Sequence, residues 1–267
     1  MKHINILFLI LVFFSINSYA EKESIILQST TSSRDSGLLN YLIPKFFESF
    51  GINIKVVANG TGQALRNAKD CNGDLLLVHS PKDELKFISD GYGLDRYELM
   101  SNDYIIIGPS SNKAQLLMSD TPDQVFTKIA NNQVKFISRS DDSGTNKKEL
   151  SLWKMSGLNE ENFDSSWYIK SGQGMGPTLN IAIGMNGYTL TDRSTWIRFK
   201  NKSNHKLLYA SPIVLKNTYS LLTINPEKCP DIKSQSVTIF VEWLLSDKGR
   251  IAINSYVIDD QQVFVAE

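Results

Sequence analysis

Five short segments concentrate hydroxyls and glycine: Ser29–Gly37 (STTSSRDSG), Asn59–Gln63 (NGTGQ), His79–Pro81 (HSP), Ser138–Thr145 (SRSDDSGT) and Ser171–Gly176 (SGQGMG). In the fourth, Arg139 stands four residues ahead of Ser143, Gly144 and Thr145, at what reads as a helix start. Those residue types suit a compact tetrahedral oxyanion. A helix N-terminus offers unpaired N–H groups and partial positive charge, hydroxyls add donors, and glycine admits close backbone approach. One arginine supplies a charge-assisted contact, and such donors contribute about 1–3 kcal/mol each. Taken singly, each segment is equally a plain helix cap, because Ser, Thr, Asp and Gly are the usual N-cap residues. Their number on one chain favours a shared anion socket.

Other chemistry is poorly represented. Beyond His3, only His79 and His205 could act as histidine bases, and the chain has no G-x-S-x-G elbow and no His/Cys cluster at metal-ligand spacing. A periplasmic hydrolase is therefore the weaker reading. Neither a phosphate loop of the G-x-x-x-x-G-K-[ST] kind nor a complete dinucleotide fingerprint is present. Balanced charge, with 28 basic and 28 acidic residues, argues against a nucleic-acid partner. No cofactor is expected.

The elements that must position these loops follow from periodicity. Short apolar runs at Ile25–Leu27, Ile52–Val57, Asp74–Val78 and Tyr104–Ile107 read as strands, with helices over Leu38–Phe50 (Pro44 kinking it) and Gly62–Lys69 between them. A second module follows: a helix near Pro122–Ala130, a strand at Val134–Ile137, a helix over Ser143–Met155, the strand Trp167–Ile169, a helix near Thr178–Met185 and the strand-like GYTLTD. Tyr219–Ile224 is a further strand and Val237–Leu245 a helix ended by Ser246–Gly249. Alternating strands and helices predict crossover units and a mainly parallel sheet. In such sheets ligands sit beyond the carboxyl ends of the strands, which is where all five segments fall. The expected fold is α/β: two lobes with a cleft between them, joined near residues 107–110 and 206–214. Lobe I comprises residues 21–107 and 213–267, and lobe II residues 108–212.

Residues 1–20 read as a cleavable signal peptide. Lys2 precedes an apolar run, Ile4–Phe14, too short to span a bilayer, and Ser18-Tyr19-Ala20 provides a cleavage site. The protein is thus expected in the periplasm. The two cysteines, Cys71 and Cys229, could there form a disulfide or remain separate thiols.

The motifs resemble those of the periplasmic tungstate-binding proteins of the TupA type, receptors of tungstate ABC importers, over nearly the whole chain after the leader. STTSSRDSGLL (Ser29–Leu39), NGTGQAL (Asn59–Leu65), GDLLLVHSP (Gly73–Pro81), SNDYIIIGP (Ser101–Pro109), SRSDDSGTNKKELSLW (Ser138–Trp153), GQGMGPTLNIA (Gly172–Ala182) and GYTLTDRSTW (Gly187–Trp196) carry the resemblance. It implies a type II periplasmic binding protein fold whose lobes are joined by two crossovers and clasp tungstate or molybdate, and an ABC permease as partner of a monomeric receptor. It implies Thr31, Ser32, Arg139 and Thr145 as ligand contacts, with Ser143 and Gly144 on the same helix start. Thr61 and Ser80 complete the candidate set, and Thr30, His79, Gly174 and Arg193 are further candidates. Three positions depart from the family pattern: Ser29 replaces threonine, Ser140 stands where glycine is frequent, and Asn146 where histidine is.

The run R-x-D-x-S-G-T is similar also to the second-lobe loop of phosphate receptors, so phosphate or sulfate is the competing ligand. A phosphate site benefits from a carboxylate acceptor; the third loop here carries His79 and Ser80 instead, and donors alone favour a fully deprotonated anion. That reading takes Asp35, Asp141 and Asp142 as helix caps facing away. His79 serves either as a structural hydrogen bonder or as a ligand contact, and Arg193 is expected to pair with Asp192.

Overall fold

A computed structural model describes residues 23–267, so the expected leader lies outside the described residues. The chain opens with β1 (Ser24–Thr30), α1 (Thr31–Asp35), α2 (Leu38–Phe50), β2 (Asn53–Asn59), α3 (Thr61–Lys69), β3 (Leu75–Val78) and α4 (Pro81–Ser89). A long strand, β4 (Gly93–Pro109), leads into α5 (Pro122–Asn131), β5 (Phe136–Ser138), α6 (Gly144–Met155) and β6 (Tyr168–Lys170). α7 (Met175–Gly184), β7 (Thr189–Asp192), α8 (Arg193–Arg198) and β8 (His205–Ala210) complete the middle of the chain. β9 (Lys216–Ile224), α9 (Ser234–Leu245), α10 (Asp247–Asn254), β10 (Val257–Ile258), β11 (Gln261–Gln262) and β12 (Val265–Ala266) close it.

The helices form where periodicity and caps agree. In α2, Leu38, Leu39, Leu42 and Phe46 share a buried face, and left-handed glycines bracket the helix, Gly37 at φ 80° and Gly51 at φ 70°. Pro44 is accommodated inside it. α5 begins with a capping box in which Thr121 and Gln124 satisfy each other's backbone N–H groups. Ser246 ends α9 as expected and also starts α10, its N–H donating to Glu242 O while its hydroxyl accepts from Gly249 N. The cap chemistry was visible in SDKG, but serine–aspartate ends one helix and opens the next within two residues.

The sheet is mixed rather than mainly parallel. Its order is β12-β4-β9-β3-β1-β2, with β7 and β8 also on β4. β1 pairs in parallel with β2 and β3, and β5 with β6. β9 runs antiparallel to both β3 and β4, and β7, β8 and β12 run antiparallel to β4. The physical reason lies in β4. It was expected only over Tyr104–Ile107, yet it extends through the polar, half-exposed stretch from Gly93, carrying the chain outward while β9 brings it back. Two passes in opposite directions must pair antiparallel.

Two apolar cores meet along β4. Leu99 and Met100 belong to a core with Leu27, Phe46, Tyr219 and Phe240. Tyr104 and Ile106 belong to another, built around Phe126, Phe136 and Trp153, whose rings pack edge to face with centroids 4.5 and 5.3 Å from the indole. Cys71 and Cys229 form a disulfide with Cα atoms 5.3 Å apart, tying the turn after α3 to the segment after β9. No helix among the described residues is long and apolar enough to cross a membrane.

Candidate functional site

Arg139 follows β5 directly and is 1% exposed. Its guanidinium gathers hydroxyls carried by distant parts of the chain. Nη1 lies 3.5 Å from Ser32 Oγ and 3.4 Å from Thr145 Oγ1, and Nη2 lies 3.3 Å from Thr31 Oγ1. Those separations are long for hydrogen bonds, so the hydroxyls surround the cation without saturating it. Arg139 Nε is buried with no hydrogen-bond partner among the described residues, and so is Thr61 Oγ1. Leaving such buried groups unpaired costs about 1–3 kcal/mol each, more when charged.

Helix starts converge on the same region. Thr30 caps α1 by accepting from Ser33 N at 3.2 Å, and Ser143 caps α6 by accepting from Asn146 N at 3.2 Å. α3 and α7 begin instead with Gly60 and Gly174, which leave their first-turn N–H groups without a side-chain cap. A Cβ on Gly174 would lie 3.8 Å from Thr31 Oγ1, and one on Gly60 would lie 3.2 Å from Asp141 O. Both helix starts therefore border the arginine and its hydroxyls.

Asp141 corrects the expectation that the acidic residues face away. Its Oδ2 accepts from Arg139 Nη2 at 2.5 Å, the shortest contact the guanidinium makes, while Oδ1 accepts from Ser143 N at 3.3 Å. The loop reaches this shape through two left-handed residues, Ser140 at φ 47° and Asp142 at φ 57°, which turn Asp141 back toward the arginine. Left-handed backbone explains why glycine suits position 140. Asp142 is not a cap either: it pairs with Arg66 at 2.9 Å and Lys147 at 3.1 Å, and these cations hold its carboxyl below the usual range against the opposing effect of burial. Asp35 pairs with its neighbour Arg34 at 2.8 Å.

Those contacts tie the N-terminal part of the chain to the middle part. Gly62 N donates to Asp142 O at 3.2 Å, and Lys147 of α6 meets Asp83 of α4 at 2.7 Å. Glycine allows close approach where the two parts touch. A Cβ on Gly144 would stand 2.5 Å from the His79 carbonyl oxygen, and one on Gly62 would overlap the Asp142 carboxylate at 1.8 Å.

The remaining candidates fall outside the cluster around Arg139. His79 Nδ1 lies 2.9 Å from both Tyr104 OH and Asn217 Oδ1, and the ring stacks on Tyr219. Burial lowers its pKa to about 4, so it is neutral at pH 7. Ser80 donates to Asp83 Oδ2 and opens α4. Arg193 does not pair with Asp192; it forms a two-pronged contact with Asp103, at 2.7 and 2.6 Å. Asp192 is fully engaged at the start of α8, accepting from Thr195 N at 2.9 Å, Thr195 Oγ1 at 2.7 Å and Ser194 Oγ.

One buried residue escaped sequence reasoning. Glu149, one turn beyond Thr145 on α6, accepts from Ser138 Oγ at 2.8 Å, Tyr168 OH at 2.7 Å and Trp153 Nε1 at 3.1 Å. It fastens the helix to the residue just before Arg139. Burial raises its pKa to about 7, against the pull of those three donors. The only sequence signal was its place at i+4 from Thr145 and i−4 from Trp153.

A PBP superfamily domain is matched over residues 17–248. The tungstate-binding protein TupA of Peptoclostridium acidaminophilum is 43% identical over 237 residues, spanning 88% of this chain and 82% of that relative. The structure of the tungstate-binding protein TupA from Desulfovibrio alaskensis superposes with a TM-score of 0.78 at 36% identity, covering 92% of this chain and 99% of that one. A tungstate ABC transporter structure from Geobacter sulfurreducens gives 0.79 at 36% identity, covering 88% and 99%. Sequence kinship and shared architecture together place this chain in the TupA family of tungstate-binding proteins, within the PBP superfamily.

Proposed function

We propose that this protein captures tungstate between two lobes and hands it to an ABC permease in the cell envelope. Two lobes are supported by the two apolar cores, one holding Met100 and Tyr219 and the other Tyr104 and Leu215. The observation that carries the reading is the buried Arg139 guanidinium, surrounded by hydroxyls from Thr31 and Ser32 on one side and Thr145 on the other. Tungstate as ligand and an ABC transporter as destination are supported by the named relatives; molybdate enters only as the near equal of tungstate in size and charge.

Binding proceeds by closure. Thr31, Ser32 and Thr61 offer neutral donors from the first lobe; Arg139, Thr145 and the N–H groups at the start of α6 arrive with the second. Excluding water strengthens each donor contact, and the ligand shifts the balance toward the closed form by its differential affinity for that form. Asp141 places Oδ2 on Arg139 and Oδ1 on Ser143 N, which leaves acceptor capacity on both oxygens, since a carboxylate offers about four lone-pair sites. The preference for tungstate over hydrogen phosphate therefore rests on the tungstate-binding relatives. Titrating tryptophan fluorescence or melting temperature with tungstate, molybdate, sulfate and phosphate tests this. Tungstate and molybdate should give the largest shifts; stabilisation by phosphate alone would replace the reading with a phosphate receptor.

A further inference from the structure

A cavity of about 550 Å³ opens between α4, α6 and the start of β9, on the far side of His79 and Gly144 from the hydroxyls around Arg139. Its walls carry five lysines, Lys82, Lys147, Lys148, Lys154 and Lys216, against a single acid, Asp83. That imbalance stands out on a chain whose charges cancel overall. Two of the cations are neutralised: Lys147 by Asp83 at 2.7 Å and Asp142 at 3.1 Å, and Lys216 by Glu267 at 2.7 Å. Lys148 donates to the Val214 carbonyl at 3.0 Å, while Lys82 and Lys154 have no ion pair among the described residues. Three positive charges therefore face the groove without a carboxylate partner.

We propose that this groove docks an acidic polypeptide segment of the permease's periplasmic surface. The proposal rests on the receptor reading above. Volume argues against a second small oxyanion, which would fill only a fraction of the space. The walls also include Pro81 and Leu150, so they suit a chain that alternates carboxylates with apolar groups. The groove is built from both lobes: Lys82 stands on α4, and Lys148 and Lys154 stand on α6. Its shape consequently depends on how the lobes sit against each other, which gives a partner a way to distinguish the closed receptor from the open one. Charge complementarity of this kind acts mainly on encounter rate and register.

The test uses Lys82→Glu/Lys154→Glu in the full receptor, with Lys82→Ala/Lys154→Ala as the milder pair. Both lysines are exposed and neither touches Arg139, so tungstate titration should stay within about twofold of the wild type. Stimulation of ATP hydrolysis by the cognate permease in proteoliposomes should fall at least ~10-fold with the glutamates and less with the alanines. Raising the salt concentration should weaken stimulation by the wild type. Undiminished stimulation by the glutamate pair would overturn the docking site. Absence of tungstate binding by the wild type would instead overturn the functional reading. Docking is then read separately, by zero-length carbodiimide cross-linking of Lys82 and Lys154 to permease carboxylates; cross-links absent from both lysines would again reject the groove.

Discussion

The two jaws that meet at Arg139 are chemically unlike. The N-terminal jaw is neutral: Thr31, Ser32 and Thr61 bring hydroxyls and helix starts, and among the described residues no charged side chain of that jaw hydrogen-bonds the arginine. The other jaw holds a buried cation, its carboxylate partner Asp141, and two left-handed residues that set the pair in place. A buried arginine without a counter-charge would cost several kcal/mol, so Asp141 makes the cation tolerable before any ligand arrives. On the proposed reading, the second jaw would supply most of the affinity and the first the shape.

Breaking the charged jaw should have the largest effect. Arg139→Ala should weaken tungstate binding by about 100-fold or more, equivalent to about 3 kcal/mol, with the circular dichroism spectrum unchanged; calorimetric titration reads it. Next in size is a change that keeps every donor but stops the jaws from meeting. Gly144→Ala sets a Cβ against the His79 carbonyl, and overpacking of about 1–3 kcal/mol should cost about 10-fold in affinity. Small-angle scattering should then show a wider particle at saturating tungstate than the wild type shows.

The neutral jaw should be more forgiving. Thr31→Ala and Ser32→Ala each remove one neutral donor worth about 1 kcal/mol, so each should lower affinity about fivefold. A loss equal to that of Arg139→Ala would erase the distinction between the jaws. Smallest of all is the rim: Arg66→Ala removes a solvent-exposed pair with Asp142, worth about 0–1 kcal/mol, and its effect should vanish in high salt.

Stability should also follow pH through the charged jaw. The Glu149 carboxyl is raised from its ordinary 4.5 to about 7 by burial. A raised acid binds its proton more tightly folded than unfolded, so its contribution is full below about pH 4.5 and lost as pH rises to about 7. Glu149→Gln, which cannot titrate, should flatten that decline in melts across the window. An unchanged decline would show that another group causes it.

Much of this was legible in the sequence because it is local. Hydroxyl and glycine clusters at strand ends announced the loops and the start of α6, and the 3.6-residue apolar period announced α2. Strand direction was not legible, since the alternation in β4 and β9 reads the same whichever way the neighbour runs. Partner choice was hidden too. Arg193 bypasses the adjacent Asp192 for Asp103, 90 residues away, because Asp192 already serves the start of α8. Asp141 read as a cap facing away, and only the left-handed turns at Ser140 and Asp142 bring it onto Arg139.

The most direct measurement is a crystal structure of the tungstate-loaded protein with anomalous data at the tungsten edge, which locates the metal without assumption. The account predicts one strong peak about 4 Å from the Arg139 guanidinium, within reach of Thr31, Ser32 and Thr145. A tungsten peak away from Arg139, or bound to one jaw alone, would contradict it.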